Sequence, residues 1–142
     1  MSAQNKAIAR RLFEEAWNER RPTVMDEIIA SDAIDHDPAN PDAAPGPDGQ
    51  KALLAKYTTA FPDTRFTVHD VIAEGDNVAV RWSVSGTHLG PLAGIAPTGR
   101  HVNLSGLSLS RIVNGKIAET WTNWDALGMM QQLQSTQRAQ SA

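Results

Sequence analysis

Trp121, Asn123 and Asp125 fall at alternate positions of Trp121-Thr122-Asn123-Trp124-Asp125, a stretch near the end of a 142-residue chain. Val113-Asn114-Gly115-Lys116 precedes it, and Asn-Gly between two apolar runs is a strong hairpin signal. Alternation along the outgoing strand puts Ile117, Glu119, Trp121, Asn123 and Asp125 on one face. A carboxylate at the end of such a row is a candidate general acid/base, because an apolar pocket raises its proton affinity toward neutral pH. Asp125 also suits the cap of a helix starting at Ala126, and the two roles can coexist. His36, between Asp35 and Asp37, is the candidate imidazole, with a structural histidine as its alternative. Asn123, Tyr57 and His88 are the other polar groups expected at a cavity.

Other chemistries lack their residues. His36, His69, His88 and His101 show no zinc-binding spacing, and alternation turns Asp35 and Asp37 away from His36. No nucleophilic-serine elbow, Walker loop or dinucleotide fingerprint is present. With no cysteine, thiolate chemistry and disulfides are excluded. A formal charge of -3 with scattered basic residues argues against nucleic acid as a partner. No apolar run approaches the roughly 20 residues that span a bilayer, and the N-terminus lacks a signal-peptide core, so the expected location is cytoplasmic. Acid/base work without cofactor or metal, by a carboxylate and an imidazole in a largely apolar pocket, is what remains.

The elements that must position these groups follow from periodicity. The length fits a single domain, 1–142, with an ordered core over about 4–133 and a polar tail over 134–142. Ile8, Leu12, Phe13, Ala16 and Trp17 have helical spacing within residues 4–20, and a shorter helix is expected over 23–30. A brief strand carries His36 and breaks at Pro38. Residues 39–49, with three prolines and two glycines, form a rigid loop able to cover a pocket mouth. Asp48 is expected to cap a helix over 49–60 that buries Leu53, Leu54 and Tyr57. From Arg65 the period becomes two, with Phe66, Val68, Asp70 and Ile72 on one face. A turn at Glu74-Gly75-Asp76-Asn77 then sets Asp70 opposite Arg81 and His69 opposite Trp82. Asp70 and Arg81 read best as a cross-strand ion pair. After a Gly/Pro-rich loop, the strand over 100–113 turns at Asn114-Gly115, and a short helix over 126–133 follows.

An uninterrupted two-residue hairpin places Ser108 opposite Trp121, Ser110 opposite Glu119 and Gly106 opposite Asn123, leaving room for a cavity. Its lining is then expected from Phe13, Trp17, Tyr57, Trp82, His88, Ser108, Trp121 and Asn123. The opposite face, with Leu107 and Leu109, is too apolar for water, and a second copy of the chain would cover it as a homodimer. A bulge in either strand exchanges the faces. Three helical segments followed by an antiparallel meander specify an α+β domain with helices on one face of a curved sheet.

Several stretches together resemble a known family: Phe61-Pro62-Asp63, Val71-Ile72-Ala73-Glu74-Gly75-Asp76, Val78-Ala79-Val80-Arg81-Trp82, Gly94-Ile95-Ala96-Pro97-Thr98-Gly99, and Asn114-Gly115-Lys116-Ile117 with Trp121 and Asp125. They are similar to the SnoaL-like polyketide cyclases of the nuclear-transport-factor-2-like superfamily. The resemblance implies a cone-shaped α+β barrel, commonly dimeric, with a pocket between helices and sheet. It implies an intramolecular aldol condensation on a hydrophobic, polyketide-like carbonyl substrate, without metal or cofactor. Asp125 matches the family's acid/base aspartate, with His36, Asn123 or Tyr57 as enolate donors. Those cyclases also use a histidine on the preceding strand, where this chain has Ser110 and Arg111. The same fold hosts epoxide hydrolases, other lyases and non-catalytic binding proteins.

Overall fold

The turn at Asn114-Gly115 forms as expected, with both residues at positive φ (53° and 77°). In the computed structural model, backbone is described for residues 2–141 and side chains through residue 134. Helix α1 (Ser2–Arg11) runs into a π-helical stretch, Leu12–Asn18, and is followed by α2 (Thr23–Ile28) and β1 (Ile29–His36). Then come α3 (Gly46–Ala60), β2 (Arg65–Glu74), β3 (Asn77–Thr87), β4 (His101–Val113), β5 (Lys116–Trp124) and α4 (Ala126–Ser141). The strands lie in the order β1-β5-β4-β3-β2. The meander β2–β5 is antiparallel, and β1 joins the β5 edge in parallel, a long-range pairing that local patterning does not announce.

Hydrophobic burial sets the helices on one sheet face: Phe13, Trp17, Met25 and Ile28 pack on Val78, Val80, Trp82, Ile112 and Ile117. The π-helical stretch brings Leu12, Phe13 and Trp17 all toward the sheet, and its end is fastened there. The Asn18 amide donates to the Phe66 carbonyl (2.9 Å) and accepts from the Phe66 N–H (2.8 Å). The second helix stops at Ile28, because the chain already enters β1 at Ile29. Helix α3 starts at Gly46 rather than at residue 49, so Asp48 sits inside its first turn and makes no cap. A Cβ on Gly46 would lie 2.4 Å from the Ser31 carbonyl oxygen, and its φ of 79° suits glycine alone. Helix α4 continues past residue 133, and the polar tail expected over 134–142 falls almost wholly outside the residues with described side chains.

Two bulges decide which residues face the helices. In β5, Ile117 pairs with Ile112 but Glu119 pairs with Arg111, leaving Ala118 as the extra residue. Ser108 therefore lies opposite Thr122, Ser110 opposite Thr120 and Leu109 opposite Trp121; the pairs expected from an unbroken hairpin are one residue out. In β2 the irregularity falls at His69, so that Val68 rather than His69 opposes Trp82, while Asp70 opposes Arg81 as expected. Side chains alternate with period two, so one inserted residue exchanges every face beyond it. Burial explains both insertions. With them, Phe66, Val68, Val71 and Ala73 all face the core, as do Ile117 and Trp124.

Candidate active site

Between the inner sheet face and the helices lies a cavity of about 140 Å³. Its wall is mostly apolar, and Phe13, Trp17, Phe66 and Trp82 meet there ring to ring, with centroids 5.1–6.0 Å apart. A band of polar groups from β1, α3 and β5 interrupts it.

Asp35, on the inner face of β1, is central to that band. Gln50 on α3 donates its amide N–H to Asp35 Oδ2 (2.9 Å), and the Thr122 hydroxyl on β5 donates to Oδ1 (3.2 Å). Loss of water raises the Asp35 pKa above the ordinary aspartate value, and the nearby Asp37 charge adds to the rise. The bonds from Gln50 and Thr122, and the charge of His36, pull in the opposite direction. Asp37 has a different environment. It is buried and accepts from the Ala39 N–H (2.9 Å), the Asn40 side-chain amide (2.9 Å) and the Trp124 indole, 3.2 Å from each oxygen. Asn40 Oδ1 in turn accepts from the Tyr57 hydroxyl (3.1 Å) and from Lys56 (3.0 Å). Burial, with the Asp37 charge, raises the Tyr57 pKa, so its phenol stays protonated at neutral pH.

Of the residues singled out from sequence, Phe13, Trp17, Tyr57, Trp82 and Ser108 line the cavity. The others stand elsewhere. Trp121 and Asn123 are exposed on the outer sheet face, turned there by the Ala118 bulge. His36 lies beside them, stacked on Trp121 (5.3 Å, 17°) and 2.6 Å from Glu119 Oε2, while Arg111 donates to the other oxygen of that carboxylate, Oε1. Alternation about His36 was read correctly, but it is Asp35 and Asp37 that point inward. Asp125 is exposed and caps α4: its Oδ1 accepts the Gly128 N–H at 2.8 Å. His88 is fully buried outside the cavity, against Phe61 (5.4 Å), its Nδ1 accepting the Thr98 N–H (3.2 Å). Asp70 and Arg81 form an exposed pair (2.6 Å) on the outer face, away from the cavity. Among the described residues no cluster of three or more histidines and carboxylates is placed to hold a metal ion.

Sequence reasoning missed Asp35, Asp37, Asn40, Gln50, Thr122 and Trp124. The alternation of β1 gave no signal for the first two: Ala33 shares their parity and is buried, but the larger Ile34 shares that of His36 and is exposed.

The sequence model of the SnoaL-like polyketide cyclase family matches residues 7–133. The chain belongs to this family. Among solved structures, wild-type IdmH from Streptomyces antibioticus, named a candidate polyketide cyclase, is 35% identical, with a TM-score of 0.80 over 92% of this chain and 98% of its own. TsrD from Streptomyces laurentii is 27% identical (TM-score 0.83; 94% and 96% covered). AclR from Streptomyces galilaeus, named a candidate hydroxylase, is also 27% identical (TM-score 0.81; 94% and 86% covered). No curated protein matches this SnoaL-like chain significantly. None of its helices is long and apolar enough to cross a membrane, among the described residues.

Proposed function

We propose that this SnoaL-like chain is an enzyme that closes a ring on a hydrophobic, polyketide-like carbonyl substrate by intramolecular aldol condensation, with Asp35 as the acid/base. The observation that carries the reading is a single one: a carboxylate of raised proton affinity in the polar band of a mostly apolar cavity. Asp35 takes the proton from the carbon next to one carbonyl, the enolate carbon bonds to the second carbonyl carbon, and the proton returns from Asp35 to the new alkoxide oxygen. No electron is gained or lost. Tyr57, protonated and beside the same polar band, is the candidate group to stabilise the enolate oxygen by turning its hydroxyl from Asn40 to the substrate. Gln50 and Thr122 orient the carboxylate.

The test is conversion of a panel of hydrophobic ketones and polyketide esters by wild type and by Asp35→Asn, followed by mass spectrometry. Conversion by wild type and loss of at least about 100-fold in the variant support the role, since general acid/base groups contribute on that order. Binding without conversion by either protein would support a non-catalytic binding protein. A folded Asp35→Asn that keeps full turnover would return the acid/base role to Asp125, the residue matching the family's aspartate.

The pairing surface we propose for a homodimer is the outer sheet face. His36, Trp121, Leu109, Ala79 and Ile72 stand in register across all five strands, and Trp121, Leu109 and Ile72 are exposed there with Leu107. Sedimentation of a monomer at micromolar concentration would overturn it.

A further inference from the structure

We propose that the cavity selects an uncharged, ring-bearing ligand that donates a hydroxyl hydrogen bond to Asp35, and rejects the same skeleton carrying a carboxylate. The inference rests on the reading of this cavity as the active site and adds the charge and polarity of what enters it.

The direction of the hydrogen bonds is the first argument. The Trp82 indole N–H can only donate, and its acceptor is the Ser108 hydroxyl oxygen at 3.1 Å. Ser108 and Thr122 hydroxyls are 3.3 Å apart, and Thr122 gives its proton to Asp35. Ser108 must therefore donate to Thr122, and the whole chain points at the carboxylate. Gln50 points there too, the Trp124 indole is committed to Asp37, and the Tyr57 hydroxyl rests on Asn40 until a substrate oxygen takes it. The donors around Asp35 are used within the wall, whereas its remaining lone pairs are open to a ligand.

Charge is the second argument. Among the described residues no lysine, arginine or histidine lines the cavity, and Asp35 and Asp37 both do. A ligand carboxylate would meet two carboxylates in a partly desolvated site with no cation in its wall, Lys56 beside it being turned to Asn40, whereas a hydroxyl leaves nothing unpaired. Size is the third. About 140 Å³ resembles the engineered apolar cavities of ~150 Å³ that take up benzene. One aromatic ring fills the enclosed part, and larger ligands emerge past Ile34 and Ala44, both exposed and both lining it. An enolised dicarbonyl compound offers the required hydroxyl.

Isothermal titration calorimetry at neutral pH with 2-naphthol, 2-methoxynaphthalene and 2-naphthoate tests this. The expected order is naphthol tightest, the methyl ether weaker, and naphthoate weaker than naphthol by more than about tenfold, the scale of like-charge exclusion. In Asp35→Asn the naphthol-to-naphthoate ratio shrinks; should that variant not fold, the wild-type ratio alone decides. Naphthoate binding as tight as naphthol, a ratio unchanged in the folded variant, or no binding of any of the three overturns the proposal. Loss of turnover in Asp35→Asn without charge selectivity would remove this inference and leave the acid/base reading standing, and selectivity without any turnover would do the reverse.

Discussion

Asp35 and His36 are neighbours in the chain and opposites in environment. On the outer face, His36 and Glu119 make a 2.6 Å contact stacked on a tryptophan, an arrangement that looks like a catalytic pair, yet His36 stands in solvent. On the inner face, Asp35 is hydrogen-bonded by a hydroxyl and an amide rather than by an imidazole, and burial has taken away much of its water. The outer pair lowers the Glu119 pKa through the His36 hydrogen bond, and the inner site raises that of Asp35 through desolvation. For a proton carrier near neutral pH the second shift is the useful one. Short contacts between ionisable groups are a poorer guide to chemistry than the water they have lost.

Substitutions on the two faces sharpen or break that contrast. Trp124→Phe removes the indole donor that spans both Asp37 oxygens inside the cavity and is expected to destabilise by about 2 kcal/mol in urea unfolding. A change below a few tenths would mean that the inner face is wetter than described. Asp125→Ala removes a helix cap and is expected to cost about 1 kcal/mol while turnover persists. Turnover lost in a folded Asp125→Ala would break the contrast outright. Arg81→Ala, at an exposed outer pair, should change stability by less than about 1 kcal/mol and leave activity intact. Loss of a hydrolytic activity there would favour the epoxide-hydrolase reading of the fold.

The gentlest effect is a tilt with pH. The folded pKa of Asp35 is raised, so its protonation stabilises the fold fully below the unfolded value, and that contribution is lost as pH rises through the folded value. Asp35→Asn carries no such charge. Its melting temperature should gain on wild type from acid toward neutral pH, and parallel curves would show that Asp35 is not desolvated.

Much of the fold was legible because its signals are local. The Asn114-Gly115 hairpin, the turn at Glu74–Asn77, the Asp70–Arg81 pairing and the inward Phe13, Trp17, Tyr57 and Trp82 each follow from spacing within one element or one hairpin. The site was less legible because it depends on three non-local events. Parallel pairing of β1 with β5 brings Asp35 beside the strand that carries Thr122. The Ala118 bulge turns Thr122 and Trp124 inward and sends Trp121 and Asn123 out. The approach of α3 then supplies Gln50. A one-residue insertion has no local signature when both parities of a strand contain a tryptophan, as residues 119–124 do.

The most direct test is an NMR titration of the Asp35 side-chain carboxyl in the free protein, with Gln50→Leu alongside. The account predicts a midpoint above the ordinary aspartate value, and a further rise in the variant, which loses the strongest of the bonds that hold it down. A midpoint at or below that ordinary value would contradict it, because a carboxylate still at ease with its charge in the cavity is no proton carrier at neutral pH.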